Sequence, residues 1–240
     1  MNGHRLSFKS RKEDKVLRCD ISQLINPRTS LSLPPTPIST PSSQRVMESR
    51  LVLVRHGKPE IEEGTPSTQW PLSQPGREAA SSLATQLSDF KFQSITSSPE
   101  LKAISTAEAI AQKLGLNVEI DDDLSEHKRH STSFLPLEDF NAQIARLFES
   151  PWSELVFGDE TANAALERFT RALDRQYVSS GSGDVLMVTH GTIMSIYVAS
   201  RLSIDPLPFW RSLTTPTAMV ISGNEMVILE PRGAAQRLLN

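Results

Sequence analysis

Two runs of consecutive apolar residues stand out along the chain, Leu-Val-Leu-Val at 51–54 and Val-Leu-Met-Val at 185–188. Uninterrupted runs of this length are typical of strands that are buried on both faces in a parallel sheet. Each run is followed within two residues by a His-Gly pair, His56-Gly57 in the first case and His190-Gly191 in the second. We therefore expect two central strands that each bring a histidine to the edge of the sheet.

Elsewhere, apolar residues recur every three or four positions, which is the spacing of one helix face. Ser73 is the predicted N-cap of the first helix, Gly115 the predicted end of the second, and Gly223-Asn224 a predicted hairpin turn. The alternation of strands and helices predicts the α/β class, as a three-layer α/β/α sandwich with a largely parallel sheet. The predicted helices lie at 77–87, 99–114, 137–148, 161–177 and 192–202, and further strands at 92–97, 118–120, 218–222 and 226–230.

Residues 1–46 differ from the rest of the chain in composition. They hold eight serines, five prolines and one aromatic residue, Phe8, with no long apolar run. Such a segment buries too little surface to offset the entropy lost on ordering. We interpret it as a disordered or dispensable extension, with Met47 as an alternative start, and assign the folded domain to residues 47–240. The competing interpretation is an organellar targeting peptide, which three acidic residues and a proline-rich end oppose.

The formal net charge of −3 hides an asymmetry. Residues 1–46 carry eight basic and three acidic side chains, a net charge of +5, so the remainder carries −8. An acidic body lacks the positive charge that nucleic-acid binding needs, and no apolar stretch reaches the roughly 20 residues of a membrane span. Cys19 is the only cysteine, which favours a reducing compartment. The predicted location is the cytoplasm, with no nucleic-acid or membrane partner.

The two histidines are the strongest chemical signal in the sequence. Ligands of open parallel sheets bind beyond the carboxyl ends of the strands, so neighbouring strands would bring both imidazoles to one crevice. Each following glycine would let the backbone approach a ligand closely. Taken singly, either histidine has the simpler interpretation of a hydrogen-bonded residue at a strand end. A zinc pair would need a third ligand, and Arg55 beside His56 favours an anion over a cation.

Five segments, in this order along residues 51–200, resemble the sequence blocks of the histidine phosphatase superfamily, which has the phosphoglycerate mutase-like fold. No single block is specific, but the ordered set is. The five segments are Leu53-Val54-Arg55-His56-Gly57, Pro71-Leu72-Ser73 with Gly76-Arg77, Ser97-Ser98-Pro99 through Ala103 with Thr106-Ala107, Asp123-Leu124-Ser125-Glu126, and Val188-Thr189-His190-Gly191.

The resemblance implies a role for each matching residue. His56 would be the nucleophile that accepts the phosphoryl group, and it must be neutral to attack. Arg55 would grip phosphate oxygens, and His190, as a cation when phosphate is bound, would stabilise the transition state. Glu126 would protonate the leaving oxygen and then activate water. Lys102 stands where the family usually has arginine, so it would keep the charge but lose bidentate recognition.

Three further residues are predicted to contact the substrate. Gly191 begins the helix after the second histidine, and Lys58 and Arg129 are cations close in sequence to the proposed catalytic groups. Residues 127–157 are expected to form a cap over the site.

The predicted function is that of a metal-independent phosphatase, with no cofactor, acting on a small phosphorylated substrate or a phosphoprotein through a phosphohistidine on His56. A phosphoglycerate mutase-type phosphotransferase and a catalytically silent phospho-ligand-binding protein are the alternatives. Trp70, Phe134 and Trp152 are assigned to packing rather than to substrate contact.

Overall fold

The computed structural model of the protein describes residues 9–11, 14–18, 49–129, 134–223 and 225–231. Within these ranges, no helix is long and apolar enough to cross a membrane. The strands are β1 (Lys9–Arg11), β2 (Asp14–Arg18), β3 (Leu51–Arg55), β4 (Ser94–Ser97), β5 (Asn117–Ile120), β6 (Val185–Thr189), β7 (Thr217–Ser222) and β8 (Glu225–Leu229). The α-helices are α1 (Gln74–Thr85), α2 (Leu101–Leu114), α3 (Leu137–Glu149), α4 (Ala162–Ser180), α5 (Gly191–Leu202) and α6 (Pro206–Ser212).

The described strands form one mixed sheet in the order β1-β2-β8-β7-β3-β6-β4-β5. The four strands β3, β6, β4 and β5 are parallel, whereas β7 and β8 form an antiparallel hairpin beside β3. The α/β prediction is confirmed. Two of the parallel strands, β3 and β6, lead directly into the two His-Gly pairs.

Both faces of the sheet are covered by helices, as the three-layer prediction requires. Successive residues of β3 point to opposite faces, and Leu51 to Val54 are all 0% exposed. Val52 and Val54 belong to the core cluster that includes α1 and α2. Leu51 and Leu53 belong to the second cluster, which includes α3, α4, α5 and α6. Because Leu51 to Val54 are buried on both faces of the sheet, none of these four side chains meets solvent, which explains the continuous apolar run.

The helix ends follow the local signals in the sequence. The Ser73 side chain accepts a hydrogen bond from the Gly76 N–H at 3.1 Å and caps α1. Gly115 ends α2 in the left-handed region, with φ of 69°. Gly223 has φ of 54° at the hairpin, whereas Asn224 lies outside the described residues.

Three elements were not predicted from the sequence. Helix α6 begins at Pro206, which suits the first helical position because it needs no N–H partner there. Strands β1 and β2 pair with each other, and β2 pairs with the β8 edge. They are the described parts of residues 1–46, so a dispensable extension over that range stays a prediction. Cys19 lies outside the described residues.

Candidate active site

The two predicted histidines lie side by side because β3 and β6 are parallel neighbours. Arg55 is opposite Thr189 in the register of the two strands. The His56 N–H donates to the Thr189 carbonyl at 3.0 Å, which continues the pairing by one residue. The imidazole centroids of His56 and His190 are 5.1 Å apart. The crevice expected at the carboxyl ends of these strands therefore contains both rings.

The His56 ring is held in one tautomer. Its Nδ1 lies 2.7 Å from the Gly57 carbonyl oxygen, which can only accept, so Nδ1 carries the proton. The lone pair is then on Nε2. Burial lowers the pKa of His56 well below its usual value, and the charges of Lys102 and Arg55 lower it further. His56 is therefore neutral near pH 7, as a nucleophile must be.

Arg55 is fixed at one end and unpaired at the other. Its Nη1 donates to the Leu213 carbonyl at 2.6 Å, while the buried Nε has no hydrogen-bond partner among the described residues. A Cβ at position 191 would lie 3.1 Å from that Nε. The Gly191 backbone thus packs closely against the Arg55 guanidinium at the start of α5, and its predicted contact with the substrate stays a prediction.

Gly57 has a similar packing role. A Cβ there would lie 2.8 Å from the Gly76 carbonyl oxygen, at the start of α1. Gly57 thus packs closely against helix backbone, and the predicted approach of its backbone to a ligand stays a prediction.

His190 is fully buried and held through Nε2. This atom lies 2.7 Å from Ser98 Oγ and 3.3 Å from Glu100 Oε1, and Nδ1 finds no partner within the described chain. Burial and the charge of Lys102 lower the pKa of His190 well below its usual value. His190 is therefore neutral in the free protein, and the cationic role expected of it requires a bound anion.

Lys102 is paired with a buried carboxylate that the sequence analysis had not singled out. Its Nζ lies 2.5 Å from Glu100 Oε2 and 2.6 Å from the Ser67 carbonyl oxygen. Since an ammonium has three donors, one remains for a phosphate. Glu100 also accepts from the Glu126 N–H at 2.9 Å, so a single carboxylate contacts Lys102, Glu126 and His190.

We expect Lys102→Met to lower the free energy of unfolding by about 3–5 kcal/mol, because it leaves the buried Glu100 carboxylate unpaired. Lys102→Met/Glu100→Gln removes both charges and should recover most of that loss. Neither variant should recover normal phosphate affinity if the ammonium binds substrate. Urea unfolding and the KM for p-nitrophenyl phosphate separate the two effects; a normal KM in the double variant would contradict the predicted role of Lys102.

Glu126 occupies the N-terminus of α5. Its carboxylate accepts hydrogen bonds from the backbone N–H groups of His127 at 2.9 Å, Ile193 at 3.0 Å and Thr192 at 3.1 Å. Arg129 Nη2 lies 3.8 Å from Glu126 Oε2. Burial raises the pKa of Glu126, but Arg129 and the N–H donors outweigh burial and hold this pKa well below its usual value. In the free protein, the anion at this helix terminus is thus the Glu126 carboxylate.

The loop that carries Glu126 is fixed from helix α4 by Arg168. The buried guanidinium donates to the carbonyls of Asp123, Ser125 and Glu126 at 2.7–2.8 Å. It also forms an ion pair with Glu160 at 2.6 Å. Since each donor of the planar group has a fixed direction, these bonds set the backbone path that places the Glu126 side chain.

A cavity of about 370 Å³ joins these groups. All five predicted catalytic residues and Arg129 line it. Lys58 is exposed and is not part of the wall, so its contact with substrate stays a prediction. Trp70 and Phe134, which were assigned to packing, also line the cavity, whereas Trp152 packs against the core. The polar wall consists of Arg55, His56, Thr65, Ser67, Glu100, Lys102, Glu126, Arg129, His190, Thr192 and Thr215.

Sequence analysis missed residues that act through their neighbours. Glu100 lies two positions before Lys102, and a carboxylate so close to a proposed phosphate-binding lysine was the available signal. Arg168 is one of several charged residues in α4, and nothing in the sequence distinguished it from the others. Within the described ranges, no group of three or more His, Cys, Asp or Glu side chains is arranged to hold a metal ion.

We expect the stability of the protein to fall as the pH drops below about 6.5, the usual pKa of histidine. The pKa of His56 is lowered in the folded state, so below pH 6.5 the unfolded chain binds more protons. Each unit of that lowering is worth about 1.4 kcal/mol. Urea unfolding at pH 7.5 and 5.5 should show a larger loss for the wild type than for His56→Ala. Parallel losses would mean that the pKa of His56 is unshifted.

Comparison with known proteins gives a consistent assignment. A sequence model described as histidine phosphatase superfamily (branch 1) matches residues 51–228. The bifunctional protein Rv2228c of Mycobacterium tuberculosis is 29% identical over 168 residues, which cover 65% of this chain and 44% of that protein. The chain therefore spans less than half the length of this relative.

Three solved structures share the fold. Mycobacterial glucosyl-3-phosphoglycerate phosphatase Rv2419c with VO3 has a TM-score of 0.59 at 24% identity, covering 76% of this chain and 98% of that one. The phosphoserine phosphatase of Entamoeba histolytica with phosphoserine has a TM-score of 0.58 at 18% identity, covering 76% and 95%. Bacillus stearothermophilus YhfR has a TM-score of 0.57 at 20% identity, covering 76% and 96%.

Proposed function

Because the chain belongs to the histidine phosphatase superfamily, we propose that it is a metal-independent phosphatase that hydrolyses a phosphomonoester through a phosphohistidine on His56. The observation that carries this proposal is the set of buried, unpaired polar atoms around the neutral His56 ring. Four of the five such atoms in the described chain belong to residues of the same cavity wall. They are Arg55 Nε, Arg129 Nη1, His190 Nδ1 and Thr192 Oγ1.

The Arg55, Arg129 and Thr192 atoms donate hydrogen bonds, His190 Nδ1 does so once the ring is protonated, and a buried donor without an acceptor is costly. A phosphoryl group offers several acceptor oxygens in one place. Its binding would satisfy these donors together, and the positive charge of Arg55 and Lys102 would stabilise the charge on the transferring group.

The reaction has two steps. In the first, the Nε2 lone pair of His56 forms the N–P bond as the bond from phosphorus to the ester oxygen breaks, and that oxygen takes a proton from Glu126. In the second, water attacks phosphorus, Glu126 takes its proton, and the N–P bond breaks. The products are an alcohol, inorganic phosphate and the neutral His56.

The ionisation of Glu126 fits the second step directly. Its carboxylate is ionised in the free protein, as a general base must be. For the first step it must be protonated, and a bound phosphate favours this because a nearby like charge raises the pKa of a carboxyl group. Binding of the substrate therefore favours the protonated form of Glu126 that the first step requires.

The decisive experiment is to trap the phosphoenzyme. The protein is mixed with p-nitrophenyl phosphate in the presence of a chelator, quenched in alkali, in which phosphohistidine survives, and digested for mass spectrometry. The proposal predicts phosphate on the peptide that contains His56, together with steady phosphate release. Phosphate on another residue, or turnover that stops with the chelator, would contradict it.

The same experiment separates the two alternatives. A phosphotransferase would form the phosphoenzyme but release little phosphate to water, and an added acceptor alcohol would be phosphorylated instead. A silent binding protein would bind vanadate without phosphorylation of His56. Two structural neighbours are named for phosphorylated acids, glucosyl-3-phosphoglycerate and phosphoserine. At 24% identity or less, they support a phosphomonoester substrate but no particular ester.

A further inference from the structure

The active-site cavity has a second half that the phosphoryl chemistry does not use. Beyond the polar wall, most of the lining is aromatic or aliphatic. Building on the phosphatase function proposed above, we propose that the substrate is a phosphomonoester whose leaving alcohol is uncharged and largely apolar, such as an aryl or arylalkyl alcohol. The apolar lining residues are Ile61, Trp70, Phe134, Leu135, Leu137, Phe140, Phe157 and Trp210.

Aromatic rings form a continuous wall on one side of the cavity. The ring centroids of Trp210 and Phe140 are 6.1 Å apart, and those of Phe140 and Phe157 are 6.4 Å apart. These spacings are those of favourable aromatic pairs. Rings arranged in this way offer both faces and edges to another aromatic group, and they offer no acceptor for the hydroxyls of a sugar.

A second aromatic pair, Trp70 and Phe134, also lines the cavity, with ring centroids 6.4 Å apart. The Trp70 indole N–H donates to the carbonyls of Glu62 and Thr65 at 3.1 and 3.0 Å. Its one polar atom is thus already used within the protein. What Trp70 can offer a ligand is apolar contact.

Several apolar side chains of the cavity are uncovered in the free protein. Ile61 is 62% exposed, Phe134 53% and Leu137 75%. Large apolar side chains that are exposed together mark a binding surface. An apolar leaving group would remove them from water, and a glycerol or amino-acid group would not.

The charges at the cavity oppose an anionic leaving group. Arg129 lies 3.8 Å from the Glu126 carboxylate, and its guanidinium is 5.1 Å from the Phe140 ring centroid and 5.7 Å from that of Phe157. Its charge is therefore already balanced near the phosphoryl end. The loop that contributes Ile61 carries three exposed carboxylates, Glu60, Glu62 and Glu63. None of the three lines the cavity, but their negative charges flank Ile61, which does, and would repel a carboxylate on the substrate.

The test compares esters of primary alcohols, so that leaving-group reactivity is similar. We expect kcat/KM for 2-phenylethyl phosphate to exceed that for phosphoserine and 3-phosphoglycerate at least about tenfold, which corresponds to one well-placed apolar contact surface. Equal values, or a preference for the charged esters through Arg129, would overturn the proposal. No turnover of any ester, including p-nitrophenyl phosphate, would overturn the phosphatase function itself and this proposal with it.

Variants of the exposed cavity residues Ile61 and Leu137 supply a second readout with little risk to folding. Ile61→Ser/Leu137→Ser should lower the ratio of kcat/KM for 2-phenylethyl phosphate to that for methyl phosphate severalfold. Leu155→Ser is the matched control, because Leu155 is 63% exposed but does not line the cavity. An unchanged ratio in the double variant, or an equal fall in the control, would overturn the assignment of this surface.

Discussion

Replacing His56 by alanine is expected to lower kcat for phosphate release from p-nitrophenyl phosphate by at least about 10³-fold. Nε2 of His56 is the only atom of the protein that forms a bond to phosphorus in the proposed mechanism. The tautomer of the ring is set by the Gly57 carbonyl, 2.7 Å from Nδ1, so the Nε2 lone pair is available to attack phosphorus. A stopped assay for inorganic phosphate, sensitive to the residual rate, is the measurement.

The variant also leaves a cavity of the size of an imidazole ring, which allows a positive control. Added imidazole should restore part of the activity, because it supplies the missing nucleophile where Arg55 and His190 remain to bind phosphate. Vanadate binding should persist for the same reason. Undiminished phosphate release by His56→Ala would show that another residue is the nucleophile.

Replacing Glu126 by glutamine is expected to lower kcat for an alkyl phosphate by about 10²–10⁴-fold, the usual contribution of a general acid–base group. The effect should depend on the leaving group. An alkoxide needs the proton that Glu126 gives, whereas p-nitrophenolate leaves without it. With p-nitrophenyl phosphate the first step should therefore stay fast while the water step slows, so that a burst of p-nitrophenol precedes slow turnover and phosphorylated His56 accumulates.

This pattern distinguishes a chemical role from a structural one. The glutamine NH₂ group faces backbone N–H donors at Thr192 or Ile193, so some loss of local order is expected. Disorder of the site would slow both esters alike and would give no burst. Equal losses with the two substrates would thus contradict the acid–base assignment.

The parts of the fold that were predicted from sequence are those in which one local pattern determines the structure. The runs at 51–54 and 185–188 are apolar throughout because β3 and β6 are buried on both faces. Helix α6 was missed because it has only seven residues and contains two prolines, Pro206 and Pro208, which resemble loop residues. Strands β1 and β2 lie in a polar context, where pairing with an existing sheet edge decides the conformation.

The candidate site divides in the same way. The proximity of His56 and His190 could be predicted because each follows a buried strand. The carboxyl ends of neighbouring parallel strands lie at the same edge of the sheet. The role of the buried Glu100 could not be predicted, because its burial depends on contacts with Glu126 and His190, which come from distant parts of the chain. The aromatic wall formed by Phe140, Phe157 and Trp210 could not be predicted either. These residues come from separate segments of the chain and do not recur at a helix or strand period.

The position of β3 has a consequence for synthesis of the protein on the ribosome. This strand leads into His56, the proposed nucleophile, and lies between β6 and β7, so both of its partners belong to the last quarter of the chain. Until they emerge, a nascent chain of more than 180 residues holds an apolar strand that has no sheet to join. Unpaired strands of this kind aggregate readily. Slow translation after residue 55 should therefore reduce the yield of active protein more than slow translation after residue 222, and chaperones that shield extended apolar segments should offset the difference.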